Sequence, residues 1–437
     1  MLEAVKVGVL GLGTVGSGAA SILQRNADEI ARRAGRGICI SIACVRDLKK
    51  QRDCDIAGMT LTADPEKVVS DPDVKIVLEL MGGTDDALKL VLMAIDHGKH
   101  VVTANKALIA FHGNEIFQRA QDKGVAVAFE AAVAGGIPII KALREGLAAN
   151  AILWLAGVIN GTGNFILTEM CDKGRDFDEV LKEAQRLGYA EADPSFDIQG
   201  TDAAHKLTIL ASVAFGVPLQ FEKVHTEGIT GISGIDVAYA SELGYRIKHL
   251  GIARRTDSGL ELRVHPALIP CSRLIANVDG VMNAVIVKAD ALGQSLYYGP
   301  GAGAEPTGSA VVADLVDVVR ALTTDPENRV PHLAFQPDSL SDIPVLSIDE
   351  VYTAYYLRIH VLDRPGVLAD VTRIFAAHKI SIEAIIQKEQ DARAASVPII
   401  ILTHRVNEKN MKGAIAEIEE LDVVTSRITL IRLETLI

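Results

Sequence analysis

Cysteine, aromatic residues, basic charge and long apolar runs are all in short supply in this 437-residue sequence. The five cysteines (Cys39, Cys44, Cys54, Cys171 and Cys271) are odd in number and lack CxxC spacing. That excludes a disulfide framework and a zinc site of the usual spacing, and leaves reduced thiols of a cytosolic protein. Aromatics make up 4% of the chain, with Trp154 the single tryptophan, too few for a base-stacking platform. Lysine and arginine number 44 against 56 acids, a net charge of -12. Such a chain repels phosphate backbones, so no nucleic-acid partner is expected. No apolar run approaches the ~20 residues that span a membrane. The first run, residues 5–10, is broken at once by Gly11 and has no secretory-signal layout. The expectation is a soluble cytoplasmic protein with no membrane partner.

What is present is an ordinary folding balance, 49% hydrophobic and 23% charged residues. At roughly 150 residues per domain the length implies about three domains. In the first third, strand patterns at residues 5–10, 38–45, 76–80, 100–103 and 125–130 alternate with helical ones at 15–34 and 85–97. Alternation of this kind predicts right-handed crossovers and a parallel sheet covered on both faces. The middle third predicts a strand at 154–158, helices at 178–187 and 201–215, and mostly strands in the patterns at 224–232, 243–254, 260–269 and 284–289. This is an α+β unit. The apolar helix at 309–323 is expected to return and pack on the first domain. Pro326, Pro331, Pro337 and Pro344 then fall close together and mark a linker. The tail reads strand, helix, strand, strand, helix, strand over 355–361, 367–378, 382–388, 395–403, 408–421 and 424–433. That order is ferredoxin-like, and it predicts a separable regulatory domain.

Gly11-Leu12-Gly13-Thr14-Val15-Gly16 is a GxGxxG run directly after a strand and at the start of a helix. The first glycine permits the turn, the second lets a pyrophosphate approach the backbone, and the third lets helix and strand pack closely. Dinucleotide binding is the reading this position supports. At the end of the second strand Arg46 can hold a 2′-phosphate through charge-assisted bonds, which favours NADP. Asp47 beside it keeps NAD open, and a merely solvated charge cluster is the plainer alternative. Thr103-Ala104-Asn105-Lys106 follows a strand at the edge where ligands bind in open α/β sheets; Lys106 there can be a point charge, an acid for a carbonyl under reduction, or an ordinary surface lysine. Asp202 and Lys206 stand four apart on a predicted helix and so share a face. Spacing alone favours a surface ion pair. The apolar rest of the helix favours a pair at a pocket edge, with Glu191 in the preceding loop joining it to hold a zwitterionic substrate. His205 points elsewhere on the helix and is read as structural.

These motifs, GLGTVG, TANK, GYAEADP and GTDAAHK, together with the later GAGAEPTGSAVVADL, resemble homoserine dehydrogenase in order and over nearly the whole chain. The resemblance implies a Rossmann-like domain over residues 1–133, completed by about 303–325, and a catalytic and dimerisation domain over 134–302. A linker at 326–350 and an ACT regulatory domain at 351–437 would follow. It implies NAD(P)-dependent interconversion of L-homoserine and L-aspartate 4-semialdehyde, in a homodimer or homotetramer. Carried over residue by residue, Lys206 is the principal proton donor or acceptor, Lys106 the second catalytic lysine, and Glu191 and Asp202 the substrate-binding acids. Gly303 joins the glycine loop, Arg46 and Lys106 in binding the cofactor. The stretch 130–137 resembles the family's monovalent-cation loop, in which oxygens of Glu130, Val133, Gly135 and Ile137 would hold sodium or potassium. Backbone carbonyls with one carboxylate suit such a hard cation; a structural turn without metal is the alternative.

The tail resembles an ACT domain, with Asp363-Arg364-Pro365-Gly366-Val367-Leu368 between its first strand and first helix. In this family such tails resemble threonine-responsive regulators, so L-threonine is the expected effector, against a dimerisation module without a ligand. No aspartate kinase segment precedes the glycine loop, which fits the monofunctional members. A nucleotide- and amino-acid-binding regulator without turnover would keep GLGTVG and the tail. It would have no need of two lysines and two acids, and these favour the enzyme.

Overall fold

The computed structural model describes residues 2–323, 329–388 and 396–437; Pro326 of the expected linker and Ala395 of an expected tail strand lie outside them. The chain begins β1 (Leu2–Leu10), α1 (Thr14–Arg25), α2 (Ala27–Ala34), β2 (Arg36–Cys44), β3 (Thr60–Thr62), α3 (Pro65–Ser70), β4 (Ile76–Glu79), α4 (Asp85–Asp96), β5 (His100–Thr103), α5 (Lys106–Asp122), β6 (Val127–Ala128) and α6 (Ile139–Lys141). It continues β7 (Ile152–Val158), α7 (Gly161–Lys173), α8 (Phe177–Arg186), α9 (Ser195–Ile198), α10 (Thr201–Phe215), β8 (His225–Thr226), α11 (Gly234–Glu242), β9 (Tyr245–Arg255), β10 (Leu260–Pro270), β11 (Met282–Ala289), β12 (Gly293–Pro300) and α12 (Ala304–Ala321). The tail holds β13 (Tyr352–Val361), α13 (Val367–Ala377), β14 (Ile382–Ile386), β15 (Val397–Thr403), β16 (Val406–Asn407), α14 (Glu408–Glu419) and β17 (Thr429–Leu433).

Two compact units result. The first comprises Met1–Leu155, Ala204–Val224 and Met282–Ile343, the second Ala156–Ala203, His225–Val281 and Pro344–Ile437.

In the first unit six parallel strands run in the order β3-β2-β1-β4-β5-β6. The register sets Leu10 beside Glu79 and Glu79 beside Thr103. The loops after β1, β4 and β5 therefore open at one edge, next to the point where strand order reverses. The predicted helix over residues 15–34 is two helices, broken at Asn26. Asparagine competes with the helix through its own backbone-seeking side chain, which favours such a break. Helix α12 belongs to this unit, and glycines set its closeness to α1. A Cβ at Gly18 would lie 2.2 Å from Ala304 O, and one at Gly308 2.7 Å from Ala19 N. Helix α5 and the hairpin strand β12 are absent from the sequence reading. Gly113 interrupts the α5 pattern because Leu219 needs its space: a Cβ there would lie 2.4 Å from Leu219 Cδ1.

In the second unit β9-β10-β17-β13-β15-β14 form one mixed sheet. The tail strands are antiparallel to one another, while β17 joins β10 in parallel, Ala267 opposite Arg432. Tyr355, Leu357 and Ile359 of β13 pack against the buried faces of α13 and α14. Tyr356, on the other face, packs with Phe165, Ile166 and Val237 of α7 and α11. The tail's sheet therefore continues into the middle segment. Strands β13 and β15 are buried along both faces, and β17 pairs with β10 of the middle segment.

Candidate active site

Gly11 adopts φ +101, and a Cβ there would lie 2.8 Å from Leu80 O. At Gly16 a Cβ would lie 2.1 Å from Gly11 O, so helix and strand close on each other only through glycine. Gly13 differs: a Cβ would meet nothing within 4 Å. It caps α1 without a side-chain bond, and no acid stands in the first turn. Open backbone amides at a helix N-terminus attract an anion. Gly11, Leu12, Gly13 and Thr14 line a cleft of about 460 Å³ with Arg46, Asp47, Lys50 and Arg52. The carboxylate of Asp47 accepts from the Lys49 amide at 2.8 Å. That bond turns it into its own loop, while Arg46 stays exposed. Dinucleotide phosphates fit this arrangement.

The edge of the same sheet carries a second construction. Thr103 Oγ1 donates to Glu79 Oε2 at 2.6 Å, and the Met81 and Gly82 amides donate to Glu79 Oε1 at 3.1 and 3.3 Å. Burial pushes the Glu79 carboxyl above its ordinary value, against the pull of those hydrogen bonds. The Asn105 amide N–H donates to Thr103 Oγ1 at 2.9 Å, and its side chain donates to Gly83 O at 2.6 Å while accepting from Leu108 N at 3.1 Å. Asn105 thus caps α5, whose first residue is Lys106. The strand-end network holds the lysine at the sheet edge.

Helix α10 carries Asp202 and Lys206, both largely buried. It begins in the second unit and continues in the first. In the first unit it packs on α5 through an aromatic cluster. Phe111 lies 5.0 Å from His205 and 4.8 Å from Phe221, and His205 lies 4.5 Å from Phe221. His205 thus packs between two aromatic rings. In the second unit the Asn160 amide donates to Asp197 Oδ1 at 2.7 Å and to Asp202 Oδ2 at 2.9 Å. Its oxygen accepts from Gly163 N at 2.7 Å and caps α7. Glu191 lies in the same unit with an exposed side chain, and its carbonyl accepts from Gln185 at 3.2 Å. Asn160, Asp197 and Glu79 escaped the sequence reading, as did the capping role of Asn105 within its motif. The Asn-Gly-Thr-Gly run after an apolar strand was the signal available for Asn160, as a helix cap of the kind short polar side chains provide.

The turn over residues 130–137 is buried. Both Glu130 carboxylate oxygens are engaged, accepting from Ile140 N at 2.9 Å and Lys141 N at 2.7 Å, and Glu130 N donates to Asp314 Oδ2 at 2.7 Å. Burial pushes Glu130 up to about 6, and burial with the neighbouring Glu130 charge pushes Asp314 up to about 8. Ala134 at φ 55 and Gly135 at φ 53 turn the backbone in between. Among the described residues no group of three His, Cys, Asp or Glu is placed to hold a metal ion. A cation here would therefore rest on carbonyls. Gly303, at φ 118, precedes α12.

In the tail, Gly366 at φ 100 begins α13 without a side-chain cap. Asp363, Arg364, Pro365 and Gly366 are exposed, Val367 is buried in the tail core, and Leu368 is exposed. No described helix is long and apolar enough to cross a membrane.

Comparison with known proteins finds similar sequences and folds. The family model described as homoserine dehydrogenase matches residues 138–316, the one described as homoserine dehydrogenase, NAD binding domain, residues 11–130, and that of the ACT domain residues 355–423. A homoserine dehydrogenase of Pseudomonas aeruginosa is 63% identical over 435 residues, covering 100% of both chains. The crystal structure of a homoserine dehydrogenase from Thiobacillus denitrificans superposes with a TM-score of 0.94 at 63% identity, covering 99% of this chain and 98% of that one. A hyperthermophilic archaeal homoserine dehydrogenase in complex with NADPH superposes with a TM-score of 0.61 at 26% identity, over 72% of this chain and 97% of that one.

Proposed function

Because the chain belongs to the homoserine dehydrogenase family, an NAD(P)-dependent oxidoreductase with an ACT domain, we propose specific roles for its residues in interconverting L-aspartate 4-semialdehyde and L-homoserine. The observation that carries the reading is the seating of Asp202 by Asn160, with Lys206 one turn along the same face of α10. The carboxylates of Glu191 and Asp202 hold the substrate ammonium. The Lys206 ammonium gives its proton to the alkoxide oxygen as the aldehyde is reduced, and Lys106 adds positive charge at the sheet edge. A cation placed where negative charge develops is the main electrostatic contribution. In the oxidative direction neutral Lys206 takes the hydroxyl proton. The cofactor, when bound, supplies the hydride to the aldehyde carbon or accepts it in return. Gly11, Leu12, Gly13, Thr14, Val15, Gly16, Lys106 and Gly303 hold it, and Arg46 reads a 2′-phosphate, so that NADP is preferred over NAD. The carbonyls of Glu130, Val133, Gly135 and Ile137 hold a monovalent cation, sodium or potassium.

The same reading takes L-threonine as the effector, bound along Asp363, Arg364, Pro365, Gly366, Val367 and Leu368 of a paired tail in a homodimer or homotetramer. The exposed turn before α13 supports it. Steady-state kinetics of Asp202→Asn and Glu191→Gln test the substrate assignment. A KM for L-homoserine raised by about tenfold or more, with NADP affinity kept, is expected from the loss of a charged hydrogen-bond partner. Unchanged KM in both variants refutes it. Activity measured against threonine concentration tests the effector.

A further inference from the structure

Arg432, on the last strand of the tail, is almost wholly buried, yet half of its partners lie outside the tail. Its Nη1 and Nη2 donate to the two carboxylate oxygens of Glu227 at 2.8 and 2.9 Å. Its Nε donates to Glu408 Oε2 at 2.8 Å, and Nη2 also reaches Glu408 Oε1. Glu408 opens α14, and Tyr355 Oη donates to it at 2.9 Å. A bidentate guanidinium pair fixes direction as well as distance. Arg432 therefore ties Glu227, just past β8, rigidly to the tail core.

Glu227 stands at the back of the segment that leads to Asp202. Its carbonyl accepts from His249 Nε2 at 2.9 Å. Gly200, at φ +89, sits against that ring: a Cβ there would lie 3.0 Å from His249 Cε1 and 3.0 Å from Thr226 Cγ2. At the next residue, Gly228, a Cβ would lie 2.4 Å from Ile198 O, and the Ile229 amide donates to the same carbonyl at 2.8 Å. Residues 226–229 and His249 thus form the wall on which 197–202 is seated. That short run holds both carboxylates that Asn160 grips.

From this chain of contacts we infer that the Arg432–Glu227 pair is a positioning device, by which the tail strand β17 sets the place of Asp202 and hence the affinity for the amino-acid substrate. The inference rests on the reading of Asp202 as a substrate-binding acid. Neither Arg432 nor Glu227 touches substrate. They act through backbone contacts at Gly228, Ile229 and His249. A packed and hydrogen-bonded chain of this kind transmits displacement because its members have few alternative arrangements.

The test uses the full-length protein and the variant Glu227→Gln, which keeps the shape of the side chain and leaves Arg432 its second carboxylate. The expected result is a KM for L-homoserine raised by about fivefold or more, with NADP dissociation constant and kcat within about twofold of the parent. Arg432→Lys, which keeps the charge but loses the bidentate fork, is expected to behave alike. Should either variant fail to fold, Glu227→Met, which leaves Arg432 paired with Glu408, removes the tether without stranding a charge, and the same KM rise is expected of it. Asp202→Asn is the control for the underlying reading. If it leaves KM unchanged, that reading fails and takes the inference with it. If it raises KM while the folded tether variants do not, the positioning role alone is overturned. A loss of substrate and cofactor affinity together would also overturn it, since that marks general damage.

Discussion

The amide nitrogen of Asn160 donates to two carboxylates at once, Asp197 Oδ1 at 2.7 Å and Asp202 Oδ2 at 2.9 Å. One neutral donor thus ties two carboxyl groups to a single side chain. The same side chain caps α7 through Gly163 N at 2.7 Å. Asn160→Ala should therefore act on both substrate affinity and stability. Hydrogen bonds to charged groups contribute roughly 1.5–3 kcal/mol, so KM for L-homoserine should rise by about ten- to a hundredfold. Loss of the cap should cost about 1 kcal/mol in thermal or denaturant unfolding. A variant with unchanged KM and a lower Tm would reduce Asn160 to a cap.

Two glycines of one loop should respond oppositely to a side chain. A Cβ at Gly13 meets nothing within 4 Å, and its φ of -80 is ordinary. At Gly16 a Cβ would lie 2.1 Å from Gly11 O. Gly13→Val should keep the parent Tm while weakening cofactor binding by about tenfold or more, because the branched side chain fills the space the pyrophosphate needs. Gly16→Ala should lower Tm by several degrees even without cofactor, as overpacking costs roughly 1–3 kcal/mol. Equal Tm losses in the two variants would remove the distinction. Calorimetry with and without NADP reads both.

Arg46→Ala should weaken NADP by roughly one to two decades and NAD by little. Arg46 is exposed on the wall of the cleft, and Asp47 beside it is bonded to Lys49 N. Equal losses for both cofactors in a fluorescence titration would mean that Arg46 does not read a 2′-phosphate.

A buried histidine, His100, and a half-buried one, His332, make the first unit acid-sensitive. Burial, with the nearby Arg329 charge, pushes His100 down to about 4. Burial, with Arg144 and then Arg329, pushes His332 down to about 4. Each accepts from a backbone amide, His100 Nδ1 from Ala126 N at 2.9 Å and His332 Nε2 from Val127 N at 3.1 Å. The folded state resists protonation that the unfolded chain accepts near pH 6.5. Their contribution is therefore complete above that pH and is lost as pH falls toward about 4. Each unpaired proton costs about 1.4 kcal/mol per pH unit in that window. His100→Asn with His332→Gln keeps the acceptors and should flatten the fall in unfolding free energy between pH 6.5 and 4.5. An unchanged slope would show that both rings protonate without penalty.

The first sheet, the glycine loop and the strand-edge lysine were legible because each rests on local backbone demands. Gly11 needs a positive φ, and Lys106 follows closely on a four-residue buried strand. The partner of Asn160 stands 42 residues away. No local pattern announces such a meeting. Glu79 sat unremarked at the end of an apolar strand, where only the fold brings it to Thr103. The tail's attachment had left a trace. Tyr355, Tyr356 and Leu357 are successive apolar residues, all fully buried. A strand apolar on both faces must be covered on both. The burial of Arg432 against Glu408 left no such trace, since sequence alone cannot show that one charge buries against the other.

The measurement that bears most directly on the account is turnover of Lys206→Ala at saturating L-aspartate 4-semialdehyde and NADPH, taken with the NADPH dissociation constant of the same variant. Lys206 lies far along the chain from the Gly11–Gly16 loop, so cofactor binding should stay within about twofold of the parent. Turnover should fall by about 10² or more, the usual contribution of a positioned proton donor. Near-normal turnover with NADPH affinity intact would contradict the assignment of proton transfer to Lys206 and with it the catalytic reading of α10.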